Sequence, residues 1–338
     1  MAWTIDLLNL AGTTVATSVT YAGARISWAL DGPGSADIDL RVSDLNSNWA
    51  AGTHRVLIKD GATSRFGGFV EHLSRSGGPG QERYRAGVLG LASVLDRRVV
   101  HGDFTNTAVG AATGGWNLIN HAQGQTDGAH GFTLGTITGS QTARTERYCD
   151  GDSIAEAIND LGARDPGGFQ WEISPTGAYN AWNPERGVAS GLTLAETDSI
   201  LFEIEAETSD VLTYVTAMGQ ADEPCGAPLS IRSSALRTTY GRREEVVDND
   251  SDVQTDLDAV ADQELKVRGR ARTSVKASWV EAAGYRPWTL GTVWLGDTVT
   301  VSLPAWFGGS LLMRLITMDI SLEQPFGGFV TCEFQAAT

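Results

Sequence analysis

Apolar positions along this chain recur mostly with a period of two. Ala36-Asp37-Ile38-Asp39-Leu40-Arg41-Val42 alternates strictly, which predicts a strand with one buried and one wet face. Residues 273–280 and 297–303 near the end alternate in the same way, and residues 54–59, 65–70 and 82–88 near the start read as further strands. Turn chemistry separates them: Asp60-Gly61, Gly77-Gly78-Pro79-Gly80 and Gly296-Asp297 supply the backbone freedom and local hydrogen bonds that tight turns need. A glycine pair inside one run, Gly67-Gly68, predicts a bulge or a sharp bend.

Helical spacing replaces alternation in a few places. Val253, Leu257, Val260, Ala261 and Leu265 lie on one stripe, which predicts a helix from about 253 to 267, or 251–268 with its ends. Ser251 and Gln254 have capping-box spacing; Asp252, Asp256 and Asp258 crowd the positive end, Lys266 and Arg268 the negative end, and Gly269 supplies a stop. A second helix is predicted from Ser153, with Glu156 as its box partner and Ile154, Ala157, Ile158 and Leu161 on its stripe, stopped by Gly167-Gly168. Residues 169–173 then alternate, Pro175-Thr176-Gly177 turns, and 178–182 returns as a hairpin. Residues 89–96 and 116–122 are short helix-like runs, while 102–115 and 123–139 are rich in Gly and Thr without periodicity and predict loops or weak strands.

The order of turns and runs repeats. Residues 52–59, a turn, 65–74, a Gly/Pro loop and 82–88 are echoed by 296–303, a turn, 311–322, Gln324-Pro325 and 327–334. The likeness is one of pattern, with little residue identity, and it predicts a structural duplication. The expected fold is mainly β with an α+β insert: two related β-barrel modules, 1–88 and 190–338, the second carrying helix 251–268, around a small helix-hairpin domain at 89–189. The two barrels are expected to superpose as separate bodies, with the insert outside them.

Composition agrees with many short strands: 40 glycines against 10 prolines, and 41% hydrophobic residues, enough for a substantial core. A net charge of −16 argues against a duplex nucleic-acid binder, which needs clustered Lys and Arg. The same charge suits solubility, or a wall past which DNA slides without sticking. No apolar stretch reaches the roughly 18–20 residues needed to span a bilayer, so no membrane insertion is expected. Met1-Ala2-Trp3-Thr4-Ile5-Asp6 lacks a basic start and a cleavage pattern, which predicts a chain kept in the cytoplasm until assembly. Cys149, Cys225 and Cys332 are too far apart for zinc or redox spacing and are expected as reduced thiols, mostly small core residues.

Candidate chemistry is sparse. Asp248-Asn249-Asp250-Ser251-Asp252 begins like a calcium loop but has Val253 where glycine is required and Ala259 where glutamate is, so helix capping is the better account. His54, His72, His101, His121 and His130 share no metal spacing, although His121 and His130 could meet across a loop. There is no Gly-x-Ser-x-Gly elbow and no phosphate loop. Trp28, Trp171, Trp279 and Trp294 lie in alternating runs and predict core packing; Trp288 and Trp306, beside Pro287 and Pro304, are the better candidates for a surface that stacks on sugars. Asp297 beside Gly296 reads as a turn residue. No catalytic, cofactor-binding or metal-binding residue, and no cofactor, is assigned.

One ordered set of features carries a resemblance. Tyr240-Gly241-Arg242-Arg243-Glu244, the helix, two strands and Leu295-Gly296-Asp297-Thr298-Val299-Thr300-Val301 are similar to the closing barrel of the hub, or minor tail, proteins of bacteriophage tail tips. The middle block resembles the family's insert through Gly151, Ser153, Ile154, Glu156, Ala157, Leu161, Pro175, Gly177, Asn183 and Pro184, and residues 84–98 resemble its exit from the first barrel. The resemblance implies a non-enzymatic virion protein: a homotrimeric baseplate-hub ring that closes or extends the tail tube. Its expected partners are distal tail, tape-measure and tip or receptor-binding proteins. With no extension beyond Thr338, lytic or receptor-binding activity is expected elsewhere in the particle. Residues 36–44 and 203–210, both acid-rich, are the expected strands near the lumen. A carbohydrate-binding adhesin is the alternative.

Overall fold

The computed structural model describes residues 3–30, 32–40, 49, 51–78, 82–126, 128–139, 141, 143–163, 168–197, 199–219, 229–248, 253–269, 272–281, 286–304, 309–323 and 327–336. It divides into two compact units, Met1–Phe202 with Lys276–Thr338, and Glu203–Val275.

The larger unit is built on one sheet. The first set of its strands is β1 (Trp3–Asn9), β2 (Thr14–Ala16), β3 (Gly23–Ala29), β4 (Ser35–Leu40), β5 (His54–Asp60), β6 (Thr63–Ser76) and β7 (Arg83–Gly90). The strict alternation seen in the sequence decides which face is dry: Ala36, Ile38 and Leu40 of β4 are buried, as are Ala24, Ile26 and Trp28 of β3 opposite them. On the other face Asp37 of the acidic run pairs with Arg85, and Arg25 lies 3.7 Å from Asp319. The run of strands continues through a 3₁₀ turn at Leu91–Arg97.

An insert follows: β8 (Phe104–Gly110), α1 (Ala111–Gln123), β9 (Thr133–Thr138), β10 (Ala143–Tyr148), α2 (Ile154–Ala163), β11 (Gln170–Ile173) and β12 (Ala178–Trp182). The expected α2, turn and hairpin are present. Ser153 Oγ accepts the backbone amide of Glu156 at 3.3 Å, as a capping serine does. The stretches expected as loops hold more structure than that: β8 pairs with β10, and β9 joins β12 as a parallel third strand. The core here is Leu118, Ile119, Ile154, Ile158, Phe169 and Tyr179 among others.

The second set of strands is β13 (Ala189–Ala195), β14 (Ile200–Glu207), then β18 (Arg272–Glu281), β19 (Thr298–Ser302), β20 (Ser310–Glu323) and β21 (Gly327–Ala336), with β14 and β18 running through the boundary between units. The sheet order is β1-β5-β6-β7-β4-β3 in the first set and β13-β19-β20-β21-β18-β14 in the second. With β2, which pairs only with β1, left out, and the strands numbered by position within each set, these two orders are the same. They differ at one end, where β1 is antiparallel to β5 but β13 is parallel to β19. The expectation of two separate barrels is corrected: β3 pairs with β20 from Ala29↔Thr317 to Gly23↔Glu323, so both sets form one continuous sheet, and no closed barrel is found among the described residues. Backbone hydrogen bonding left open at the edge of one set is satisfied by the other.

Gly67-Gly68 also departs from expectation. Both residues stay in register with Leu57 and Val56. A Cβ at Gly67 would stand 2.1 Å from the Pro175 carbonyl oxygen, and one at Gly68 2.3 Å from that of Leu89. Close backbone approach, not a bend, requires these glycines.

The smaller unit is a three-stranded sheet in the order β16 (Leu229–Ser233), β15 (Tyr214–Met218), β17 (Glu244–Asp248), with a short α3 (Arg237–Tyr240) and α4 (Gln254–Arg268). The predicted stripe holds from Leu257 onward: Leu257 and Ala261 are fully buried against Leu212, Val215 and Ala217, with Val260 and Leu265 alongside, whereas Val253 is exposed. The predicted cap differs. Val253 is the N-cap and no side chain caps it, while Ser251 lies outside the described residues. The Gln254 amide instead donates to Asp258 Oδ1 at 2.9 Å. Ser230 donates to the same oxygen at 2.6 Å; this bond, then that from Gln254, holds the Asp258 carboxyl below its usual range.

Candidate functional site

In the larger unit Asp297 acts as a brace. Its two carboxylate oxygens accept the backbone amides of Val188 and Trp294, each at 2.9 Å, which is the turn role the sequence suggested. Beside it Arg314 donates to the carbonyl of Gly296 at 3.1 Å, to Gln170 Oε1 at 2.6 Å and to the carbonyl of Arg186 at 2.7 Å, and faces Glu185 at 3.0 Å. One turn thus ties β20 to the insert's hairpin and to the segment leaving it. Asp297→Ala would orphan two amides; it is expected to cost about 1.5–3 kcal/mol, the loss usual for hydrogen bonds to a charged partner, read as a lower thermal midpoint.

A second cluster in this unit centres on a buried cation. Arg55, 5% exposed, donates to the carbonyl of His130 and lies over the rings of Phe69 and Phe132. Arg98 Nη1 is 3.4 Å from His130 Nε2. Burial lowers the Arg55 guanidinium to about 10. Burial first, then Arg98 and Arg55, lowers the His130 imidazole to about 4. His130 is therefore neutral in the fold, whereas in the unfolded chain it titrates near 6.5. Between those values the unfolded state binds the extra proton, so stability present above about pH 6.5 falls as pH drops to about 4. A thermal midpoint measured from pH 7 to 4 is expected to fall, and His130→Gln to flatten that fall.

The remaining candidates scatter. His121 stacks on Phe104 at 4.6 Å and contacts the His101 carbonyl at 3.2 Å, not His130. Among the described residues no cluster of His, Cys, Asp or Glu could hold a metal; residues 249–252 of the calcium-like run lie outside them. Trp28 and Trp279 are buried as expected, Trp171 and Trp294 half-buried. Trp288 is not at the surface: it is 7% exposed, with Trp279 at 5.0 Å and Phe334 at 6.3 Å. Proline beside it marks a turn whose side chain points inward. Trp306 lies outside the described residues. Cys332 is buried but Cys149 is exposed, against the expectation of core thiols, and Cys225 lies outside the described residues. Among the described residues no helix is long and apolar enough to cross a membrane.

What sequence reasoning missed is that β14 is an edge strand of the sheet among the described residues. Leu201 of β14 is 63% exposed, and β14 ends the sheet order. The signal was the echo itself, read strand by strand.

No protein-family model matches the sequence, and no curated protein matches it. The fold, however, has relatives among solved structures. A tail protein from Neisseria meningitidis superposes with a TM-score of 0.69 at 14% identity, covering 99% of this chain and 97% of that one. A 43 kDa tail protein of prophage MuSo2 from Shewanella oneidensis gives 0.69 at 12% identity, covering 98% of each. An Escherichia coli component of the type VI secretion system, described as structurally similar to the T4 bacteriophage tail proteins gp27 and gp5, gives 0.56 at 10% identity, covering all of this chain and 75% of that one. The fold is that of phage tail and gp27-like proteins.

Proposed function

We propose that the chain is a structural virion protein of a phage tail tip: the subunit of a homotrimeric hub ring that closes or extends the tail tube and anchors other tip proteins during attachment and DNA ejection. The observation that carries this reading is the end-to-end likeness to phage tail proteins, 99% of one chain on 97% of the other, joined to a repeated strand order. Residues 1–88 and 190–338 supply two near-equivalent modules, so three copies present six, which lets a threefold ring dock a sixfold tube. Distal tail, tape-measure and tip or receptor-binding proteins are the partners such a ring would meet. The reading is non-enzymatic, and the acid-rich stretches 36–44, of which 41–44 lie outside the described residues, and 203–210 are the proposed near-lumen elements, where net negative or neutral charge would avoid holding phosphate. The adhesin alternative loses one of its two candidate platforms with the burial of Trp288; Trp306, the other, lies outside the described residues. Localising the protein in purified tails by electron microscopy tests the proposal: threefold density at the tip is expected, and absence from the tail would overturn it.

A further inference from the structure

The cluster around Arg55 holds positive charge with no negative charge to match it. Elsewhere in the larger unit shielded cations face carboxylates: Lys59 pairs with Asp6, Arg65 lies 3.7 Å from Asp60, and Arg314 lies 3.0 Å from Glu185. Arg55 is 5% exposed, and among the described residues no carboxylate pairs with it or with Arg98. Its guanidinium donates to the His130 carbonyl, but its Nε–H is buried without an acceptor. His130 adds a second such donor. Arg98 Nη1 can only donate, so at 3.4 Å it makes the facing His130 Nε2 the acceptor. The proton of the neutral ring then sits on Nδ1, which is also buried without an acceptor. Arg55 Cζ and the His130 ring lie against the same two rings, Phe69 at 4.9 and 6.0 Å and Phe132 at 5.8 and 5.9 Å. The orphan donors therefore share one apolar wall.

We propose that a small monovalent anion of the halide class, chloride in ordinary solution, binds between Arg55, Arg98 and His130. Burying a guanidinium without a counter-charge costs far more than burying a paired one, and each buried donor left without an acceptor adds to that cost. An anion removes both penalties at once. Water could accept from the two orphan N–H groups, yet it would leave the charges of Arg55 and Arg98 uncompensated. Because the unsatisfied groups are donors alone, the ligand is an acceptor; because both orphan nitrogens are closed off from solvent, it is a monatomic ion and not a phosphate or an organic acid. The site also has a structural logic. Arg55 belongs to β5, Arg98 follows the 3₁₀ turn that ends the first set of strands, and His130 lies between α1 and β9 of the insert. One ion held by all three joins the insert to the sheet. This site is independent of the hub reading, since it needs neither a ring nor a second copy.

Halide titration of the full chain at pH 7, after dialysis into halide-free buffer, tests it. Sodium chloride should raise the thermal midpoint by roughly 5 °C or more per hundredfold increase above the dissociation constant. Sodium gluconate at equal ionic strength screens the net charge of −16 as well but is too large to enter, so it should give only the smaller rise due to screening. Bromide should act as chloride does, and a crystal soaked in bromide should show its anomalous peak within hydrogen-bond reach of Arg55 and His130. Arg98→Gln, at a half-buried position, should weaken the apparent halide affinity roughly 10-fold or more, and Arg55→Met should abolish the halide dependence. Should Arg55→Met fail to fold, Arg98→Gln and the bromide peak still decide. Equal midpoints in chloride and gluconate at every concentration would overturn the proposal, as would halide dependence undiminished in Arg98→Gln or retained in Arg55→Met. Bromide found only elsewhere on the molecule, an adventitious ion only, would overturn it too. A rise with phosphate as large as that with chloride would overturn the choice of a monatomic ion.

Discussion

Tyr179→Ala is expected to unfold the insert. Tyr179 is among the largest fully buried side chains in the protein. Its ring packs at 6.2 Å from Trp116 and 6.1 Å from Trp171, and its hydroxyl donates to the Ala112 carbonyl at 3.0 Å. Burial raises the phenol far above its usual value, so it stays a neutral donor. Losing an aromatic side chain from a packed core costs about 3–5 kcal/mol, and the orphaned carbonyl adds about 1–3. That sum rivals the stability of an entire domain. Far-ultraviolet circular dichroism and hydrogen exchange over residues 104–182 should show the loss, whereas Tyr179→Phe should cost only the hydrogen-bond part. A native midpoint for Tyr179→Ala would mean the ring is not the keystone of this core.

Leu257→Ala should release the smaller unit. Leu257 is fully buried on α4, and among the described residues the core it joins has Leu212, Val215, Ala217 and Ala261 as its other buried members. A leucine-to-alanine change costs about 2–5 kcal/mol, with the upper part expected where neighbours cannot collapse into the space. In so small a core one side chain is a large share of the total. Protease cleavage within residues 203–275 should rise steeply and tail assembly should fail or become labile, while Val253→Ala, at a position 50% exposed, should change neither. Unaltered protease resistance would show that α4 does not depend on this contact.

The sequence by itself determined the elements whose physics is local. Alternation placed β4, β18 and β19, because a half-buried strand must alternate. A 3.6-residue stripe placed α2 and α4, and Pro175-Thr176-Gly177 placed the hairpin between β11 and β12. It also showed that the strand pattern occurs twice and assigned no catalytic chemistry. Tertiary contacts decided the rest. Helix α1 was legible only from 116 onward, because Gly114 and Gly115 read as helix breakers; a Cβ at Gly115 would stand 2.6 Å from the Tyr179 hydroxyl, so the fold requires glycine there despite its poor propensity. Trp288 turned inward because Trp279 and Phe334 offered more buried area than solvent could. Most of all, local pattern could not tell two barrels from one sheet. That choice lies in the β3–β20 pairing, between residues almost 300 positions apart in the chain, and nothing in either strand's alternation names its partner.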